Sequence, residues 1–102
     1  MKYAIIRTQQ PNDIHCRHWL PRGTLVERTG FPDAYGNVLV RSVFDVEALW
    51  GALPKGKIEQ RVSPYDVMRL PAFVGRALSV VLRYAPSRHI TACRALLSLA
   101  LR

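Results

Sequence analysis

Hydrophobic and polar positions alternate along the first part of the chain and change period near residue 63, dividing a strand-rich front from a helical back. "YAIIR" at 3–7 predicts a short strand, and "TQQPND" after it a polar loop punctuated by Pro11. In "IHCRHWL" at 14–20 a two-residue period sets His15, Arg17 and Trp19 on one face and Cys16, His18 and Leu20 on the other. "PRG" at 21–23 reads as a turn, because proline presets φ and glycine accepts a positive one. "TLVERT" then returns as the partner strand of a hairpin. "GFPDAYG" is a loop, "NVLVRSV" a third paired strand, and "DVEALWGAL" about two turns of helix with Asp45 as N-cap, ended by Pro54 and Gly56. "KIEQRV" sets Ile58, Gln60 and Val62 against Glu59 and Arg61, a strand with one wet face.

The helical signals strengthen from Ser63. That residue is an N-cap type, Pro64 suits the first helical position, and Asp66 follows three residues after the cap, which predicts a helix to about Leu70. Pro71 removes a donor and crowds the preceding turn, so a second helix over about 71–84 is expected to be kinked or broken from the first. Ala85 and Pro86 stop it. The last helix is expected from about Thr91 to Arg102, with Thr91 as N-cap and Cys93 at the second helical position. The expected class is α+β. One domain spans 1–102, with a small antiparallel sheet of N-terminal strands packed against C-terminal helices.

Length and composition agree with that picture. A chain of 102 residues is one domain's worth, and 49% apolar with 22% charged residues is near the globular average. The most apolar stretch, "LPAFVGRALSVVLRY", is interrupted by Arg76 and falls short of a membrane span. "MKYAIIRTQQP" lacks the apolar core of a signal peptide, so the expected compartment is the cytoplasm, of the bacterial host if the chain is phage-encoded.

Charge changes the expected partners. Fifteen Lys and Arg against seven Asp and Glu leave a formal +8, which raises the local concentration of anionic partners and favours non-specific contact with nucleic acid or acidic membranes. The basic residues run from Lys2 to Arg102 without collecting into a block, and aromatics are 9% of the chain. Nucleic acid is therefore a possible partner that nothing specifically signals.

Two cysteines, Cys16 and Cys93, exclude a multi-disulfide scaffold. In "HITACRALL" a thiol at a helix start faces free backbone N–H groups and the positive end of the helix dipole, which favour thiolate. The competing reading is packing. Cys93, Leu96, Leu97 and Ala100 form one helical stripe, and free cysteine is among the most buried residue types. Cys16, His18, His89 and Cys93 would close a tetrahedral zinc site if their segments met, but the spacings match no common finger or ribbon, and no metal or other cofactor is expected.

The segment "DIHCRHWLPRGTLVERTG", with "NVLVRSV" downstream, "PYD" at 64–66 and "ITACRALLSLAL" at the end, resembles the small circularly permuted papain-like proteins of the NlpC/P60 superfamily found in bacteria and phages. The resemblance implies a permuted papain-like arrangement, with Cys93 as nucleophile, His15 as its base and Glu27 as a polar partner. His18 and His89 are local rivals for the base. The implied chemistry is thiolate attack on an amide or ester carbonyl to give an acyl-enzyme, with backbone N–H groups holding the oxyanion. Peptidoglycan stem peptides, isopeptide bonds and lipid acyl groups are the substrates it suggests. The alternative is a basic phage or bacterial binding protein that keeps such a fold without its chemistry and docks on a host protein or nucleic acid.

Overall fold

Five short β-strands and two helices make up the computed structural model, which describes residues 3–8, 20–46, 56–85 and 88–101. The strands are β1 (Tyr3–Ile6), β2 (Leu25–Arg28), β3 (Val38–Ser42), β4 (Glu59–Val62) and β5 (Val67–Leu70). They form one antiparallel sheet in the order β4-β3-β2-β1-β5, followed by α1 (Ala72–Arg83) and α2 (His89–Ala100). The expected α+β class, a small antiparallel sheet with C-terminal helices against it, is what the chain adopts.

Alternation along the strands divides the core in two. Ala4, Ile6, Val26, Val38, Val40, Val62 and Val67 point to one face of the sheet, where Leu20, Val46 and Ile58 join them. Ile5, Leu25 and Leu70 point to the other, where Leu82 of α1 and Cys93 and Leu97 of α2 cover them. Truncating a leucine buried like Leu82 or Leu97 to alanine costs about 2–5 kcal/mol. α1 lies over β1 and α2 over β2. The helices therefore cover one part of this face. Beyond them the same face carries Glu27, Arg41, Glu59 and Arg61, with Glu27 opposite Arg41 and Arg41 opposite Glu59 across the ladders.

Three expectations change. The predicted helix over Ser63–Leu70 is a single 3-10 turn, Pro64–Asp66, that leads directly into β5. Ser63 does cap that turn, its hydroxyl accepting the Tyr65 N–H at 3.2 Å. However, Val67 and Leu70 are buried, and β5 pairs along the whole of β1 from Tyr3↔Leu70 to Ile6↔Val67. The backbone groups on that edge of β1 need partners, and the residue before Pro71 is pushed to extended backbone, so a strand wins over local helix propensity. Pro71 consequently stands at the N-cap of α1 and breaks nothing.

The second change is in pairing. β2 takes β1 on one side and β3 on the other, so "TLVERT" pairs with the first strand of the chain. Residues 14–19 of the predicted hairpin partner lie outside the described residues, as do 47–55 of the predicted helix after Asp45. Third, α2 starts at His89, two residues before the expected cap. The "KIEQRV" strand has the expected wet face, with Ile58, Gln60 and Val62 buried, Glu59 exposed and Arg61 half-buried.

Two glycines set how closely the helices approach the sheet. Gly75 is buried in α1, and a Cβ there would run into the Tyr3 ring, so the missing side chain lets the helix lie on β1. Gly23 (φ +89°) follows the turn that precedes β2, and a Cβ there would stand 3.1 Å from the backbone N of Arg94 on α2. In an isolated helix Gly75→Ala would stabilise by about 1 kcal/mol. Here overpacking against Tyr3 outweighs that gain, and thermal or urea unfolding of Gly75→Ala is expected to show a net loss of about 1–3 kcal/mol.

Candidate functional site

The start of α2 is where the predicted chemistry lies. His89 is its first residue, 2% exposed, and its Nε2 accepts the backbone N–H of Leu25 at 3.2 Å. An accepting Nε2 places the proton of the neutral ring on Nδ1. Nδ1 has no hydrogen-bond partner among the described residues. The Phe44 ring meets the imidazole edge to face, with centroids 4.9 Å apart. Burial makes the charged imidazolium costly and pulls the His89 pKa down to about 4.

Cys93 follows one turn later and is fully buried, packed with Ile5, Leu25, Leu82 and Leu97. Because α2 begins at His89, the Cys93 amide falls inside the i→i−4 ladder and not among the unpaired N–H groups of the helix start. Burial pushes the thiol up to about 11, the opposite of the shift that activates a nucleophile. One His89 nitrogen is taken by the Leu25 amide and the other has no partner among the described residues, so neither engages the sulfur. The next residue, Arg94, turns outward and donates from Nε to the Arg22 carbonyl at 2.7 Å, tying α2 to the turn before β2. His15, Cys16 and His18 lie outside the described residues. Among the described residues no group of three or more His, Cys, Asp or Glu is placed to hold a metal.

Glu27 sits elsewhere on the same face of the sheet. With Tyr3, Phe44, Asp45, Lys57, Ser79 and Arg83 it lines an open cleft of about 470 Å³ between α1 and the sheet, and Cys93 is not part of that lining. Two predicted site residues are thus placed, one sealed under α2 and one at the wall of a wet cleft.

The feature that residue-by-residue reading missed is on the outside of the helices. Basic residues are spread along the chain, but acidic ones stop at Asp66. Residues 67–102 carry Arg69, Arg76, Arg83, Arg88, Arg94 and Arg102 and no Asp or Glu. Arg76, Arg83, Arg88 and Arg94 are exposed on or beside α1 and α2. The same segments expose Phe73, Val80 and Val81 of α1, Tyr84 at its C-cap and Leu99 of α2. Counting the two signs separately along the chain would have found this layer. No helix among the described residues is long and apolar enough to cross a membrane. Compared with protein-family models, with curated proteins and with solved structures, the chain matches none.

The His89 site generates a pH dependence. Its pKa lies near 4 when folded and 6.5 when unfolded, so the unfolded chain binds the proton more readily. The stabilisation from keeping the ring neutral is complete above pH 6.5 and is lost as pH falls toward 4. The gap corresponds to at most about 3 kcal/mol. Urea unfolding at a series of pH values is expected to show this loss. In His89→Gln, which keeps an acceptor and cannot titrate, the decline between pH 6.5 and 4 should be largely absent.

Proposed function

We propose that this chain is a non-catalytic docking module whose helical layer binds an acidic protein partner. The observation that carries the reading is the charge of that layer: exposed arginines on both helices and no acidic side chain after Asp66. Such a surface steers and holds a partner of opposite sign. Exposed Val80 and Val81 beside the arginines favour a folded protein surface over nucleic acid, because aliphatic side chains offer apolar area that neither phosphates nor stacking bases use.

The cysteine-hydrolase reading of the resemblance asks for an accessible thiolate at position 93. A sulfur at 0% exposure with its pKa raised to about 11 weighs against it, and the same properties suit a small apolar filler beneath α2. At pH 7 such a thiol holds about a hundredfold less thiolate than an ordinary cysteine. Iodoacetamide at pH 7 is therefore expected to leave Cys93 of the native protein unlabelled over times that label it fully in denaturant. Rapid native labelling of Cys93 would restore the hydrolase.

Docking is tested with immobilised poly-glutamate, using elution by salt as the readout. Arg76→Glu with Arg83→Glu is expected to elute at clearly lower salt than Arg7→Glu with Arg69→Glu, an exposed pair of equal net charge that lies off both helices. Equal elution of the two pairs would mean that net charge alone is at work, and the reading would fail. Tighter retention on a DNA duplex than on poly-glutamate, with a steep salt dependence, would move the assignment to nucleic acid.

A further inference from the structure

α1 is apolar on two sides, and the second side has the spacing of a helix-pairing seam. Its inner face, with Val74, Gly75, Leu78 and Leu82, lies on the sheet. Its outer face carries Phe73, Ala77, Val80 and Tyr84 at intervals of four, three and four residues. These are successive d, a, d and a positions of a heptad. Phe73 is 74% exposed, Val80 53% and Tyr84 86%. At such exposures the two aromatic rings alone offer roughly 300 Å² of bare surface. That alone reaches the lower end of the largest apolar patch on a typical monomer, which is often functional.

The same register assigns the charges. With Phe73 and Val80 at d, Arg76 and Arg83 both fall at g, one heptad apart, and both are exposed. Charges at g lie beside the seam and choose the partner by pairing across it. A second copy of this chain fits badly. Antiparallel pairing sets arginine against arginine, and parallel pairing sets Arg76 against apolar Val81 at e, with +8 on each protomer in either case. A seam one helix long also falls well below the ~800 Å² per partner of a stable interface between folded chains. A single docked helix needs less.

We infer that the outer face of α1 is the seat for one amphipathic helix of a partner protein, with apolar residues along its seam and Glu or Asp facing Arg76 and Arg83. The inference rests on the docking reading above and specifies where the partner sits and what it presents.

The test is an NMR titration of the ¹⁵N-labelled full chain with a synthetic peptide of about three heptads, Leu at a and d and Glu at e and g, against a twin with Lys at e and g. The Glu peptide is expected to shift amide signals of 73–84 first, and the Lys peptide to leave them unmoved. Arg76→Glu with Arg83→Glu should reverse that preference, a swap that a merely structural role for these arginines would not produce. Val80→Asp, at an exposed position, should weaken Glu-peptide binding roughly tenfold or more. Should Val80→Asp fail to fold, the charge swap decides alone.

Shifts centred elsewhere, equal response to both peptides, self-association in sedimentation, or adsorption to phosphatidylglycerol vesicles without peptide binding would each overturn the proposal. If the peptide fails while poly-glutamate elution still depends on Arg76 and Arg83, only the helix seat falls. If both fail, the docking reading falls with it.

Discussion

The hydrogen bond from the Leu25 amide to His89 Nε2 joins positions 64 residues apart and sets where the last helix lies on the sheet. Its place in the ladder explains its weight. The Leu25 carbonyl is occupied by the Val43 amide, and the β2–β3 pairing proper begins only at Val26↔Ser42, so the Leu25 N–H would be left buried without an acceptor. An orphaned buried amide costs about 1–3 kcal/mol, and the imidazole removes that cost. With His89 seated there, the helix repeat brings Cys93 and Leu97 down onto Ile5 and Leu25. Arg94, next along the helix, comes out at the Pro21–Gly23 turn, where its Nε reaches the Arg22 carbonyl. One polar contact inside and one at the rim thus fix the axial position of α2, and apolar burial between them supplies most of the energy.

The same geometry shows why histidine and cysteine stand four apart at 89 and 93. Both occupy the inward stripe of α2, and each meets a different demand of the sheet beneath: an acceptor for an amide, and a small apolar body beside leucines. A catalytic pair needs the sulfur open to substrate and a ring nitrogen turned toward it. Here the sulfur is buried and neither His89 nitrogen bonds it. Two other buried polar side chains also satisfy amides, Gln60 accepting the Leu20 amide at 3.1 Å and Ser42 the Ile58 amide at 2.9 Å.

Much of the fold is legible in the residue pattern. The strands at 3–6, 25–28, 38–42 and 59–62 follow from two-residue alternation, and α1 and α2 from apolar stripes, because each periodicity reports the face that element buries. β5 is not legible, since "SPYD" carries a genuine capping signal that the structure honours for one turn only. The edge of β1 that overrides it lies some 60 residues upstream in sequence, where no local window reaches. The start of α2 is misplaced for a related reason: Thr91 is the better cap by residue type, and His89 enters the helix because of what it meets on β2. At the site, the identity of Cys93 is visible in sequence, but its burial is a tertiary fact. The cationic layer, in contrast, is fully visible as the disappearance of acids after Asp66, once position is weighed along with net charge.

That disappearance bears on how the molecule divides its labour. The acidic side chains among the described residues sit on the sheet and its loops, where Glu27 and Glu59 flank Arg41 and Asp33 lies 3.7 Å from Arg61, so positive charge there is locally balanced. On the helices Arg83 alone shares a cleft with acids, Glu27 and Asp45, and Arg76, Arg88 and Arg94 have no ion pair among the described residues. Surface ion pairs contribute little to stability, so folding alone gives no reason to strip acids from one layer and keep them in the other. The chain's net +8, to which these arginines contribute, is a standing cost to the compact state, offset by the core beneath. A surface that combines that cost with bare Phe73 and Tyr84 is least expensive when something acidic and apolar lies across it. The sheet, with His89 and Cys93 holding α2 in register, is then the rigid support that presents the face.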